Sequence, residues 1–153
     1  MRNFIAKLLI KSIAPCIKVN LYSADNTCYL TEKKTIKLNL REVYHEGGAE
    51  GARVFLQHLA QVHKCSFVNE FPIELWTTLH EIGHHFTLDD FDEEADYNAR
   101  CALSNANLAD YADPTDFAFQ YFNLRSEWIA TEWAINYIKK HPLKCLIFGD
   151  LLR

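Results

Sequence analysis

The sequence predicts an α+β fold in which a small antiparallel sheet packs on helices, within a single domain over residues 1–153. Segments 17–22 and 35–40 alternate apolar and polar residues, which indicates half-buried strands. Elsewhere apolar residues recur every three or four positions, the spacing of one helix face. A length of 153 residues suits one domain with a sizeable core.

The N-terminal third supplies one helix and the sheet. The first helix ends near Pro15, because a proline ring cannot continue the pattern. We expect five of its apolar side chains to pack on the domain: Phe4, Ile5, Leu8, Leu9 and Ile13. The strands at 17–22 and 35–40 flank a shorter strand at 28–31, and strands so close in the chain are expected to pair as a small antiparallel sheet.

Helices fill most of the remaining chain. The run His45–Gly48 is expected to interrupt the structure before a helix over 51–63. The next helix covers Pro72–Phe86 and offers five apolar side chains for burial: Leu75, Trp76, Leu79, Ile82 and Phe86. Three further segments complete the prediction: helices over 93–105 and 126–140, separated by a loop or helix boundary at 110–116, and an apolar tail over 143–152 that packs back on the body.

Composition narrows the functional class. Apolar residues make up 49% of the chain and charged residues 24%, as in ordinary globular proteins. A net charge of −4 provides no broad surface for nucleic acid, so we expect no direct nucleic-acid binding. No segment approaches the roughly 18 apolar residues of a membrane span, so we also expect no membrane partner. Five cysteines without a Cys-x-x-Cys pair are typical of free thiols in the cytoplasm.

The most informative string is His80-Glu81-Ile82-Gly83-His84, which lies within the predicted helix over 72–86. Two histidines four residues apart share one helix face and can bind one Zn²⁺ ion. Glu81 is adjacent to the first ligand and can act on a metal-activated water without ligating the metal. By chance the pattern is expected about once in a few hundred chains of this length. The sequence therefore predicts a catalytic zinc site with Glu81 as general base.

A catalytic zinc site needs a third protein ligand, and the sequence offers two sources of carboxylate. Glu127 lies 43 residues beyond His84 on a separate predicted helix, so it can approach across the site. It is followed by a small residue one turn later, where two helices can approach closely. Asp92, Glu93 and Glu94 lie only 8 to 10 residues beyond His84 and remain the alternatives. We favour Glu127.

Two other features bear on the site. Gly83 would cost about 1 kcal/mol relative to alanine in a helix interior, which suggests that something passes close to the helix there, such as a neighbouring strand or a substrate. Zinc sites often use a tyrosine or histidine to stabilise an oxyanion, and the sequence does not choose among five such residues: Tyr97, Tyr111, Tyr121, Tyr137 and His141.

These residues resemble the zincin metallopeptidases, and most closely the ImmA/IrrE-like group of bacteria, phages and mobile elements. The resemblance rests on the segment His80–Phe86 and on Glu127-x-x-Ala130-x-x-Trp133-Ala134, and it extends over roughly residues 30–140. It implies a central helix carrying the His-Glu-x-x-His motif and a site formed by His80, Glu81, His84 and Glu127. Thr131 stands where related zincins often carry an aspartate that orients a ligand.

The resemblance also implies a function. We expect a zinc-dependent endopeptidase that cleaves a cytosolic protein, often a transcriptional repressor in this group. The alternative is a catalytically silent zincin scaffold that holds the metal and acts as a protein-interaction module. A third reading is a helical scaffold without metal. The sequence leaves the substrate, the cleavage site and the oligomeric state open.

Overall fold

The computed structural model describes residues 1–21, 27–41, 44, 46–106 and 114–153. These residues form seven α-helices and three short strands, so the predicted α+β class is confirmed. The elements are α1 (Arg2–Ile13), β1 (Lys18–Asn20), β2 (Cys28–Leu30), β3 (Thr35–Lys37), α2 (Glu46–Gln61), α3 (Ile73–Phe86), α4 (Glu93–Asn105), α5 (Pro114–Phe122), α6 (Arg125–Lys140) and α7 (Pro142–Leu152). A short 3-10 helix, Val68–Glu70, precedes α3.

The sheet is mixed, and the prediction of an antiparallel sheet is wrong in this respect. Strand β3 lies in the middle, antiparallel to β2 and parallel to β1. The short turn between β2 and β3 forces those two strands to run in opposite directions. The alternating pattern correctly identified the buried side chains Ile36, Leu38 and Leu40. Alternation shows which face of a strand is buried but not which way its neighbour runs.

Two helix predictions need correction. Helix α2 begins at Glu46, not at Gly51, and ends at Gln61. The glycines before residue 51 do not break the helix, because helix propensity is a weak prior that tertiary packing overrides. In α1 the buried residues are Ala6, Leu9 and Ile10, whereas Phe4 and Leu8 are about half exposed. The inward face of α1 is therefore rotated from the predicted one.

The remaining helices agree closely with the sequence. Helix α3 is central, since it contacts α1, α6, α7 and β2. It buries Leu75, Trp76, Leu79 and Ile82, while Phe86 is 46% exposed and stacks on Trp133. Helix α4 has the predicted bounds and α6 begins one residue earlier than expected. The apolar tail packs back on the body as α7, which contacts α1 and α3.

Some predictions fall outside the described residues: the end of the first strand at Tyr22, the break at His45, Tyr111, and the part of the 110–116 boundary before Pro114. The five cysteines all lie among the described residues, and no disulfide joins any of them. Among the helices of the described ranges, none combines the length and the apolar character that crossing a bilayer requires.

Candidate metal centre

The site is built where α3 crosses α6. Gly83 faces Ala130 so closely that a β-carbon on Gly83 would lie 3.0 Å from the Ala130 Cα and would overlap its carbonyl oxygen. The sequence indicated a close neighbour at Gly83, and in the structure that neighbour is α6. Ala130 is the small residue one turn after Glu127. The two small residues let the helices approach, which brings side chains one turn away on each helix together.

His80, His84 and Glu127 converge at this crossing. The Nε2 atoms of the two histidines are 3.1 Å apart, and the Glu127 Oε2 lies 3.0 Å from His80 Nε2 and 3.3 Å from His84 Nε2. His80 and Glu127 are buried, and the His84 side chain is 17% exposed. Among the described residues, no other set of three or more possible ligands is grouped this closely. The predicted pair of histidines and the favoured third residue thus meet at one point.

Thr131 determines which nitrogen of His80 is available. The Thr131 hydroxyl donates to the Glu127 backbone carbonyl at 2.8 Å, so it accepts a hydrogen bond from His80 Nδ1 at 3.1 Å. With its proton on Nδ1, His80 presents the Nε2 lone pair to His84 and Glu127. Thr131 therefore fixes the orientation of the His80 ring through its Nδ1 side.

The grouping of donor atoms fits a zinc ion. Two imidazole nitrogens and a carboxylate oxygen bring lone pairs to within 3.0–3.3 Å of one another, an arrangement that is repulsive unless positive charge lies between them. Nitrogen and oxygen donors of this kind are normal zinc ligands, and in a tetrahedral zinc site neighbouring ligand atoms lie about 3.3 Å apart. The observed spacings are close to that value.

The pKa shifts of Glu127 and His84 also indicate that the site attracts positive charge. Burial alone would raise the pKa of Glu127. When the two imidazoles are protonated in place of binding a metal, their hydrogen bonds to Glu127 outweigh burial and hold that pKa well below its usual range. Burial would also lower the pKa of His84, yet its contacts with Glu127 raise it overall. The site therefore attracts positive charge, and a proton and a metal cation compete for it.

A residue of α4, Arg100, binds the second carboxylate oxygen of Glu127. Arg100 donates to Glu127 Oε1 at 2.9 Å and also to Ser126 Oγ at 2.9 Å. Ser126 in turn donates its hydroxyl and its backbone N–H to the buried Asp96 at 2.7 and 2.9 Å. Nothing in the sequence pointed to Arg100, since an arginine four residues after an aspartate resembles an ordinary surface pair. These bonds leave Oε2 as the oxygen that faces the histidines.

The alternative ligands lie outside the cluster, although Glu93 lines the same cleft. Asp92 caps α4 by accepting a hydrogen bond from the Ala95 backbone at 2.9 Å. Glu93 and Glu94 follow it on the exposed first turn of α4. The structure brings none of these three carboxylates to the histidines.

Glu81 is buried beside the cluster but is not part of it, as expected for a residue that does not ligate. Burial raises the pKa of Glu81, and attraction to His84 and His80 partly offsets that rise. A carboxyl group with a raised pKa is suited to accept and return a proton near neutral pH. Glu81 also lines the same cleft as the three clustered residues.

That cleft has a volume of about 1240 Å³ and gives the cluster access from outside. Its walls include β2, α4 and the end of α5. Of the described oxyanion candidates, Tyr97 and Tyr121 line the cleft. Tyr137 and His141 are not among the residues that line it and contact each other with tilted rings. The Tyr121 hydroxyl accepts a hydrogen bond from Arg100 at 3.0 Å, and burial raises the pKa of Tyr121, so its phenol stays protonated.

Comparisons with protein-family models, with curated proteins and with solved structures gave no match to this chain.

Proposed function

We propose that this chain is a zinc-dependent endopeptidase that hydrolyses a peptide bond in a protein target, such as a cytoplasmic repressor or regulator. The single observation that carries the proposal is the convergence of His80, His84 and Glu127 in an open cleft, with Glu81 one residue beyond the first histidine. A closed structural zinc site would have no use for a buried base and would be completed by a fourth protein ligand.

The residues have distinct roles in this proposal. His80, His84 and Glu127 would hold the metal, which supplies Lewis-acid chemistry by acidifying water and polarising a carbonyl group. Glu81 accepts the proton of the attacking water and delivers it to the leaving amine. Thr131 orients His80 through Nδ1, and Arg100 orients Glu127 through Oε1. Tyr121 lies on the cleft wall as a neutral donor for the oxyanion.

The shape of the cleft favours a polypeptide substrate. Its volume of about 1240 Å³ exceeds the roughly 300–1,000 Å³ of typical small-molecule pockets. Strand β2 is at the edge of the sheet formed by the described residues, and Cys28, Tyr29 and Leu30 line the cleft. An extended peptide can be recognised beside such an edge strand.

The experiment combines metal analysis with a search for cleavage products. Untagged protein is analysed for zinc, and cell lysate treated with it is searched for new protein N-termini. We expect wild type to contain about one zinc ion per chain and to generate specific new N-termini. Glu81→Gln should keep zinc and generate none, whereas His84→Gln should lose zinc. Glu132→Gln, an exposed change on the same helix as Glu127, is the matched control and should change neither property.

Two results would refute the proposal. Wild-type protein that contains no zinc and binds none when it is supplied would remove the metal centre. Cleavage of the same targets by Glu81→Gln at the wild-type rate would remove the assigned base.

The second candidate is a catalytically silent scaffold that binds a protein partner. It is favoured by the position of the cluster, which ties α3 to α6, two helices that pack closely at Gly83 and Ala130. Metal bound there would stabilise the fold whether or not catalysis occurs. Under this reading chelation unfolds the domain, and wild type and Glu81→Gln are equally inactive on every lysate protein.

A further inference from the structure

The outer faces of α1 and α7 carry large apolar side chains that the fold leaves exposed. On α1, Phe4 is 54% and Leu8 is 48% exposed. On α7 the exposed fractions are 76% for Leu143, 61% for Ile147 and 53% for Leu151. These three are spaced four residues apart and so share one side of α7. A helix that buries one side and exposes apolar residues on the other has surface to offer to a partner.

The two exposed faces belong to one surface. Helices α1 and α7 pack side by side and antiparallel: Arg2 donates to the Arg153 carbonyl at 2.6 Å, and at the other end Lys144 lies 3.5 Å from the Ser12 carbonyl. Both helices bury their opposite sides, which include Leu9 of α1 and Leu152 of α7, in the same core. Their outer sides therefore point away from the body together. We call this surface, formed by Phe4, Leu8, Leu143, Ile147 and Leu151, the α1–α7 face.

Basic residues are frequent in the segments that carry the α1–α7 face. Residues 1–18 and 139–153 contain eight Lys or Arg residues and only one acidic residue, Asp150. The chain as a whole carries a net charge of −4, so the other residues are strongly acidic by comparison. The basic residues are Arg2, Lys7, Lys11, Lys18, Lys139, Lys140, Lys144 and Arg153. Arg2 pairs with Glu74 and Arg153 pairs with Asp150, and the six lysines leave these segments with a net positive charge.

We propose that the α1–α7 face docks on the surface of a membrane that contains anionic lipids. Apolar side chains enter the boundary between headgroups and acyl chains, while lysines and arginines at the rim contact lipid phosphates and carboxylates. Long basic side chains can keep their charge at headgroup level while their stems pack on apolar surface. This goes beyond the sequence-based expectation of no membrane partner, which considered only spanning segments.

The charges and apolar side chains of the α1–α7 face favour an anionic membrane over a second copy of the chain or nucleic acid. A second copy of the chain would bring two strongly basic rims together, and like charges disfavour such a contact. Nucleic acid would satisfy the basic residues but leave five large apolar side chains against a phosphate backbone. A membrane with anionic lipids satisfies both the charge and the apolar surface.

The test is flotation of the full chain with vesicles of phosphatidylcholine alone or of phosphatidylcholine mixed with phosphatidylserine. We expect wild type to float with the mixed vesicles only, and less at high salt. Ile147→Ser with Leu151→Ser should weaken binding by at least about 100-fold, the effect of withdrawing two buried aliphatic side chains. Phe4→Ser with Leu8→Ser repeats this test on the other helix, in case the first variant is poorly folded.

Two double variants that each remove two positive charges complete the experiment. Lys7→Gln with Lys140→Gln should weaken binding by about 25-fold, because each basic residue near an anionic surface contributes about fivefold. Arg53→Gln with Arg125→Gln removes the same charge from other parts of the chain and should change binding little. Arg53 lies on α2, and Arg125 is at the opposite end of α6 from Lys140.

Three outcomes would overturn the proposal. Wild type could fail to float with phosphatidylserine vesicles at low salt. Folded variants of the α1–α7 face could bind as well as wild type. Light scattering could instead reveal a dimer that Ile147→Ser with Leu151→Ser dissociates, which would assign this face to a second copy of the chain.

Discussion

The hydroxyl of Thr131 joins His80 to the backbone of Glu127. It accepts from His80 Nδ1 at 3.1 Å and donates to the Glu127 carbonyl at 2.8 Å, one turn earlier in α6. The buried Thr131 hydroxyl thus orients His80 relative to α6, the helix that carries Glu127. An aspartate is not needed for this task, because a fully buried threonine with a defined hydrogen-bond direction can perform it.

We predict that Thr131→Val weakens zinc binding by about 10- to 100-fold, the usual effect of losing a partner that orients a metal-ligating histidine. Valine has nearly the shape of threonine but cannot accept the His80 Nδ1–H bond. Affinity is measured by competition with a coloured chelator. Thr131→Ser keeps the hydroxyl and should bind nearly as wild type. Equal affinity of wild type and Thr131→Val would show that Thr131 does not orient His80.

We predict that Gly83→Ala destabilises the protein by about 1–3 kcal/mol, because the added methyl group overlaps the backbone of Ala130 and separates α3 from α6. Zinc affinity should fall with stability, since Glu127 moves with α6. Gly51→Ala is the matched control: nothing lies within 4 Å of its added β-carbon, so it should be neutral or gain up to about 1 kcal/mol. Urea denaturation measures the free energy of unfolding of both variants. If both variants lost equal stability, the close helix crossing would not explain Gly83.

We predict that Arg100→Met destabilises the metal-free protein by about 1–3 kcal/mol, because it leaves Glu127 and Asp96 without their positive partner. This is below the cost for a fully buried pair, since the Arg100 side chain is 36% exposed. Zinc should reduce the loss by supplying positive charge to Glu127.

The control for Arg100 is Arg53→Met, which breaks an exposed ion pair with Glu50 and should cost less than about 1 kcal/mol. Thermal unfolding of both variants, with zinc and with a chelator, gives the loss of stability of each variant in each condition. An equal loss for Arg100→Met in both conditions would contradict electrostatic compensation by the metal.

We predict that acid destabilises the protein through His63. Burial, together with the nearby His58, lowers the pKa of His63 from 6.5 to about 4. The unfolded chain therefore takes up a proton before the folded chain does, and this contribution to stability is complete above pH 6.5 and is lost as the pH falls towards 4. Burial also lowers the pKa of His58, in the same direction.

The measurement is urea unfolding at several pH values between 7.5 and 4, a range of about three units, with a chelator present so that metal binding does not contribute. The free energy of unfolding should fall less steeply with acid in His63→Gln than in wild type, because glutamine does not titrate. Parallel pH profiles for the two proteins would rule out the assigned role of His63.

Local patterns were enough to determine much of this protein. The bounds of α4 and nearly those of α3 and α6 follow from helical periodicity, and the pairing of His80 with His84 follows from a spacing of four on one helix. These features depend on residues close together in the chain. The position of Glu81, away from the side of α3 that carries His80 and His84, also depends only on residues close together in the chain.

Only the tertiary structure decided the rest. The parallel pairing of β1 with β3, the inward face of α1 and the hydrogen bond of Arg100 to Glu127 depend on elements far apart in the chain. The sequence favoured Glu127 over Asp92, Glu93 and Glu94, but a helix pattern cannot say which distant carboxylate reaches a given histidine. The fold settles that contact because Gly83 and Ala130 let two helices approach until their side chains meet.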